Sequence, residues 1–358
     1  YKNAGGSVLE IFSAAGGLTY FTEAQSTASP NATVNVDSLT AVASTTNADF
    51  AIQPKGSGAI IAQVPDGTAT GGNKRGQYAV DFQRVRQYTG GYVASGDYSI
   101  ISGGSHNRAT NTYASVIGGY FNYSSGSYSV SGGYQNTASG SGSVSLGNAN
   151  TSSGTNSVSM GDSNTASGNY SVSLGRGCGA SGLYSFTIGR SNTASGDYSE
   201  ARGFGSNTFS VIGRISNSSS YVSVSGDTQK STLTLAKRTT DATPTILSVD
   251  TGVATTTNQL TLQNNNSIRF KGSIIARQSG STNTSAWDID GIIQRGTSAA
   301  TTTLLISNVN VVQNTPAWGT PTLTANTTLG CLTVTVTGAA TTNIQWTCAI
   351  DTTEVIYA

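Results

Sequence analysis

Charge is scarce in this sequence. Of 358 residues only 10% are Asp, Glu, Lys or Arg, and 18 cations against 17 anions leave a formal net charge of +1. No stretch gathers basic residues as neutralisation of a phosphate backbone requires, which argues against nucleic acid as a partner. Long apolar runs are missing as well: nothing approaches the roughly 20 residues of a membrane-spanning helix or the charged-then-apolar pattern of a signal peptide, so no membrane insertion is expected. Cysteine is rare. Cys178, Cys331 and Cys348 lie far apart without metal-type spacing. Cys331 shares strand parity with Thr333 and Thr335, and Cys348 with Trp346 and Ile350, so the three are expected as unbridged, small buried hydrophobes. The sequence begins at Tyr1 and its one Met is Met160, so a preceding attachment segment is expected to be missing.

What the sequence has instead is 44 glycines among dense Ser, Thr and Asn. The stretch SVSLGNANTSSGTNSVSMGDSNTASGNYSVSLG, residues 143–175, repeats one phrase three times. Glycines recur at 133, 147, 161, 175, 189 and 203, a step of 14, and two earlier turns ending at Gly104 and Gly119 carry one more residue. Apolar residues stand three and one before these glycines, a period of two that marks a short strand. Between the strands run NTASG, NTSSG and NRATN, whose Asn and Gly tolerate positive φ and mark tight turns. Each repeat therefore predicts one coil of a β-solenoid, and eight coils at about 4.8 Å each make a rod roughly 35 to 40 Å long.

The apolar content of each coil is a Val, a Leu-type residue and often a Tyr. Val130, Val144, Leu146, Val158, Met160, Val172, Leu174, Phe186 and Ile188 are read as the core of the roll and of its assembly, because so thin a coil calls for several copies to associate. In Glu200 and Arg202 of YSEARG, charges replace the apolar pair, which reads as the cap that ends the roll. The remaining roll side chains are small hydroxyls and amides and offer few large anchors for a partner.

The pattern A-S-G-x-Y-S-V-S-L-G at Ala166 to Gly175, and partly at Ala180 to Gly189, resembles the head repeats of YadA-type trimeric adhesins. That resemblance covers about residues 94–213 and implies a left-handed parallel β-roll assembled as a homotrimer. Upstream, the PKGSGA and GGNKRGQYAVD segments within 49–86 resemble bacteriophage tail-fibre proteins, in which such a strand and turn precede adhesin-like coils. The segment itself reads as short strands over Ala59 to Val64 and Tyr78 to Phe82, too small in core to fold alone. From about Asp241 longer alternating strands appear, among them SIRFKGSIIAR, AWDIDGIIQR and CLTVTVTG, and these read as an antiparallel sandwich or jelly roll. The ending TTNIQWTCAIDTTEVIYA resembles the C-terminal β-domain of the same fibres.

Chemical motifs are few. GCGASG, residues 177–182, matches G-x-G-x-x-G but sits in repeat coils with no helix after it, so it reads as turns. Cys178 occupies the slot that Asn136, Asn150, Asn164 and Asn192 hold in other coils and reads as a substituted turn residue. His106, the one histidine, reads as a solvated turn residue, since no serine is singled out beside it. Asp288 and Asp290 share a strand face; paired carboxylates suit glycoside hydrolysis or Ca²⁺, yet no further oxygen cluster follows, and a solvated or interface face is the reading adopted. Trp287 and Trp346 alternate with core residues, whereas Trp318 between Pro316 and Pro321 is the least constrained tryptophan.

The expectation is an all-β homotrimeric fibre: an N-terminal intertwined stalk and connector (1–93), a YadA-like roll (94–213), a neck (214–240) and a C-terminal antiparallel sandwich (241–358). Its expected work is non-enzymatic adhesion to a host surface from a virion, with the N-terminus held by other virion proteins and a host glycan or surface protein as partner. Receptor contacts are placed on the loops 279–285 and 314–321, at Ser281, Asn283, Asn314, Thr315 and Trp318. No cofactor or metal is expected. The rivals are a capsid-anchored or decorating fibre, a trimeric bacterial adhesin and a glycan-degrading tailspike.

Overall fold

The computed structural model describes residues 21–26, 36–41, 47, 49, 51–86 and 91–357. Most of the expected stalk before residue 51 lies outside the described residues. Two units are distinguished, 1–56 and 57–358. In the first, Phe21–Ser26 pairs antiparallel with Val36–Ala41. Among its described residues the second is all-β, with helical content confined to one 3-10 turn at Ala299–Thr301, and is built on a parallel β-solenoid of about 8 turns.

Each coil carries a longer and a shorter strand, and the two kinds stack in separate parallel ladders. Register follows the repeat: Val144 stands beside Val158 and Gly147 beside Gly161. The invariant step of the glycines has a steric cause. Gly147 has φ of +116° and a Cβ there would lie 2.2 Å from the carbonyl oxygen of Gly161; the same close approach recurs from coil to coil, so any side chain would wedge the stack apart.

The interior of the roll corrects the sequence reading. Ser131, Ser145, Ser159, Ser173 and Thr187 are fully buried, and so are Ala138, Ala166, Ala180 and Ala194 opposite them. The nine residues assigned to the core alternate with these and face outward. Val130, Val144, Leu146, Val158, Val172, Leu174 and Phe186 are half-buried, and Met160 and Ile188 are 37% and 43% exposed. In the first coils this inward column is apolar, with Ile101 and Val116 fully buried in register with Ser131; from Ser131 on it holds Ser and Thr, and serine hydroxyls cross the gap: Ser152 Oγ donates to Val144 O at 2.6 Å and Ser145 Oγ to Asn150 O at 2.9 Å.

A buried amide ladder replaces the expected surface turn. Asn107, Asn122, Asn136, Asn150 and Asn164 are at most 1% exposed, and each Oδ1 accepts the backbone N–H one coil on, at 2.9 to 3.1 Å. Cys178 interrupts this row. Its buried thiol is pushed above the ordinary range by desolvation, and Cys331 and Cys348 are likewise free and buried, their thiols pushed up to about 11 and about 12.

The parallel ladder is longer than the repeat. It starts at Ile60–Ile61 and Val80–Asp81 and ends at Ile215–Ser218, one coil past Glu200–Phe204. Glu200 and Arg202 pair in register with Phe186 and Ile188 and form an ion pair on the outer face; they interrupt the outward apolar row, while the ladder itself runs on for a further coil that places Ile215 beside Glu200. Near its start, Asp81 is fully buried and accepts from Arg75 Nε at 2.8 Å and Arg86 Nη2 at 3.0 Å, which accounts physically for the Arg and Asp of GGNKRGQYAVD. At the far end the fully buried Arg214 is paired with Glu354 and donates from Nε to Ser231 Oγ at 3.1 Å. Burial opposes the Glu354 charge, but Arg214 and the hydroxyls of Thr352 and Ser231 outweigh it and hold the carboxyl below its ordinary value.

Residues 214–240 do not form a separate neck. Thr228–Thr239 pairs along its whole length with Ile344–Ile356, so the C-terminal sheet begins before Asp241. Its order is Thr303–Thr315, Thr284–Arg295, Asn266–Gln278, Ile344–Ile356, Thr228–Thr239, and it continues through Ile215–Ser218 into the roll. A smaller antiparallel sheet centred on Cys331–Thr337 shares one core with it, containing Leu235, Phe270, Trp287, Trp346, Leu332 and Val334. Each such side chain contributes about 1.5 to 3 kcal/mol, which gives this region a larger apolar core than the roll, whose apolar cluster is confined to the first coils around Ile101 and Val116.

Candidate functional site

The loop assigned to receptor contact splits. Trp318 is only 5% exposed and packs on Trp346, ring centroids 5.9 Å apart. The chain around it is clamped by Asn314, whose Oδ1 accepts Trp318 N–H at 3.0 Å and whose Nδ2 donates to Trp318 O at 3.1 Å. Flanking prolines suggested freedom; the indole instead fills the core, and Trp318 is withdrawn as a contact residue. Thr315 is exposed and stands opposite Thr284.

Ser281 does lie at a concavity, and Asn283 supports the same turn by donating from Nδ2 to Gln278 Oε1 at 2.8 Å. This open groove of about 690 Å³ is lined by Arg238, Ile275, Arg277, Gln278, Ser281 and Gln345, with others. It lies on the outer face of the large sheet. Thr239, Ala276, Ile344 and Trp346 point into the core, so by strand alternation Arg238, Arg277 and Gln345 point away from it. Register puts Gln345 directly between Arg238 and Arg277, and the same row runs on through Thr284 to Thr315.

Elsewhere on this face one arginine is matched, while Lys230 stands opposite Thr353 and Asn217. Arg269 donates to Asp290 at 2.6 Å, and Lys271 stands in register with Asp351 and Asp290. Among the described residues, neither Arg238 nor Arg277 has a carboxylate within salt-bridge distance. Two guanidiniums facing one groove without a counter-charge suit an anionic group, since Arg presents a fork that matches carboxylate geometry.

The roll also carries large surface side chains, which the sequence reading passed over by counting tyrosines as coil filling. Tyr78, Tyr98, Tyr113 and Tyr128 stack with centroids 5.0 Å apart. Tyr170, Tyr184 and Tyr198 follow at 4.7 and 5.3 Å. These rings are 43% to 63% exposed, and Gly142 and Asn156 break the row. The signal was there: a Tyr two residues before the first residue of the strand, before Val80, Ile100, Ser115, Val130, Val172, Phe186 and Glu200.

The other chemical candidates resolve as follows. His106 is half-buried, stacked on Phe121 at 4.9 Å, and desolvation lowers its pKa; it is not a solvated turn residue. Asp290 accepts from Asn308 Nδ2 at 2.6 Å and pairs with Arg269, and these bonds hold its carboxyl below the ordinary value, while Asp288 is exposed. GCGASG forms a turn and the short strand Gly179–Ala180. Among the described residues no three His, Cys, Asp or Glu side chains gather as a metal site.

No protein-family model matches this sequence, and no curated protein matches it. Among solved structures the chain is similar to the tailspike protein of Acinetobacter baumannii bacteriophage Fri1, a capsular polysaccharide depolymerase, at 11% identity and a TM-score of 0.24. The match covers 77% of this chain and 50% of that one, so this chain spans half the length of that tailspike. Because that neighbour is an enzyme, the sequence reading that excluded an enzymatic role is withdrawn.

Proposed function

We propose that this chain is part of a phage-type virion fibre, assembled as a homotrimer of YadA-like rolls, that holds to a host-surface saccharide through the outer face of its C-terminal sheet. The observation that carries this reading is the outward row of Val, Leu, Met, Phe and Ile along the roll, Val130 to Ile188, half-buried to exposed on the single chain. From Ser131 on, an interior of serine, threonine and alanine buries little apolar surface, so contact between copies along this row supplies what these coils lack. The ion pair of Glu200 and Arg202 interrupts the row, Ile215 follows in register with Glu200, and beyond it the C-terminal domain has its own core. Three copies of a modest site gain from multivalency, because the second and third engage at high effective concentration.

The test has two parts. Sedimentation of the purified chain should give three copies per particle, and the trimer should compete with virus for adsorption to host cells. A monomer at micromolar concentration, or a trimer that leaves adsorption unchanged, overturns the reading. Release of reducing ends from host polysaccharide, measured in the same samples, reports whether binding is accompanied by cleavage.

A further inference from the structure

We infer that the Arg238–Gln345–Arg277 row is a binding site for the anionic group of an acidic saccharide, which rests on the attachment reading above only for where that saccharide is met. Sheet geometry sets the span. Arg238 and Arg277 lie on the two strands flanking Gln345, so their backbones are roughly 10 Å apart at about 4.8 Å per strand. Both side chains line the one groove, together with the carboxamides of Gln278 and Gln345.

Two like charges facing one concavity repel in the free protein, and an anion between them removes that repulsion while accepting from both forks. Hydroxyls and amides around the rim, at Ser281, Thr282 and Asn343, suit the polar ring substituents of a sugar. Ile275, 53% exposed on the groove floor, offers an apolar patch for a sugar's C–H face. The pairing of Arg269 with Asp290 on the same sheet shows what a neutralised arginine looks like here, and Arg238 and Arg277 lack it.

The experiment uses the full chain and measures binding of oligogalacturonate, its methyl ester, a sulfated dextran oligosaccharide and unmodified dextran by titration calorimetry. Binding of the free uronate, the sulfated sugar or both is expected, with the two arms telling carboxylate from sulfate. The methyl ester and unmodified dextran should bind at least tenfold more weakly. Arg238→Gln with Arg277→Gln should weaken anionic binding at least tenfold without lowering the unfolding midpoint, because both side chains are exposed. Arg238→Lys with Arg277→Lys, which keeps the charge and loses the fork, should fall between.

Absence of binding by both anionic probes, equal binding of the ester, or binding that survives the double Gln substitution overturns the inference. Adhesion to host cells separates it from the attachment reading. If wild type adheres but binds neither anionic probe, the anion site fails and attachment stands. If wild type binds the anionic probe but does not adhere, attachment fails and the site stands.

Discussion

Replacing Cys178 by Asn restores the broken rung of the buried amide ladder. In the neighbouring slot Asn150 Nδ2 donates to Asn136 Oδ1, Leu146 O and Gly161 O at 3.0, 2.9 and 2.8 Å. Its Oδ1 accepts from Asn164 N and Nδ2 at 3.0 and 3.1 Å. At residue 178 the backbone bond to Asn164 Oδ1 survives at 2.9 Å, but the equivalent carbonyls, Leu174 O and Gly189 O, lack the side-chain donor, and Asn192 N–H faces the sulfur. An amide there supplies two donors and an acceptor to groups already removed from water. At about 0.5 to 1.5 kcal/mol for each bond the gain is about 1.5 to 4 kcal/mol. Ordering the side chain removes about 1 kcal/mol, so a net stabilisation of about 0.5 to 3 kcal/mol per chain is expected. Amide hydrogen exchange reads this locally. The Asn192 amide should exchange about tenfold more slowly, the equivalent of about 1.4 kcal/mol, and the denaturant midpoint should rise. An Asn192 amide that exchanges as fast as before, or a lower midpoint, refutes the reasoning and means that sulfur serves this slot as well as the amide.

Three further outcomes follow from the packing. Glu354→Gln leaves Arg214 buried without its counter-charge and should cost about 3 to 5 kcal/mol in denaturant unfolding. Because the wild-type carboxyl is depressed, its contribution is fully present above the ordinary glutamate value of about 4.3 and is lost as pH falls through the lower folded value. Acid unfolding of wild type should therefore be steeper below about pH 4 than that of the Gln variant. Val172→Asp with Leu174→Asp should abolish association in sedimentation and, because the coil then loses the contact between copies, lower the unfolding midpoint of the roll. Ser173→Leu, at a position with no exposed surface, should overpack the interior and cost about 1 to 3 kcal/mol or more; a folded, monomeric Ser173→Leu chain beside an associated double Asp variant would reverse the facing argued here. Trp318→Ala should cost about 3 to 5 kcal/mol of stability and leave calorimetric binding of the anionic probe unchanged in whatever fraction remains folded.

The sequence by itself determined the coil. A step of 14, glycines at positive φ and two-residue alternation dictate short strands and tight turns locally, because those are properties of φ, ψ and neighbouring side chains. It also determined that Ser281 sits on an exposed turn and that Trp287 and Trp346 are buried. Tertiary structure alone decided which alternate set faces inward. Alternation says that Val172 and Leu174 oppose Ser173, but only the stacked ladders show that Ser173 takes the interior, in the column that Ile101 and Val116 fill in the first coils. Likewise the Asn slot became a buried ladder when the coils stacked and gave each side chain a partner 14 residues away. The groove required more still. Arg238, Arg277 and Gln345 come from three distant segments and meet only because Ile344–Ile356 inserts between Thr228–Thr239 and Asn266–Gln278. No local pattern encodes that pairing, because it is set by burying the opposite faces of these strands in one shared core.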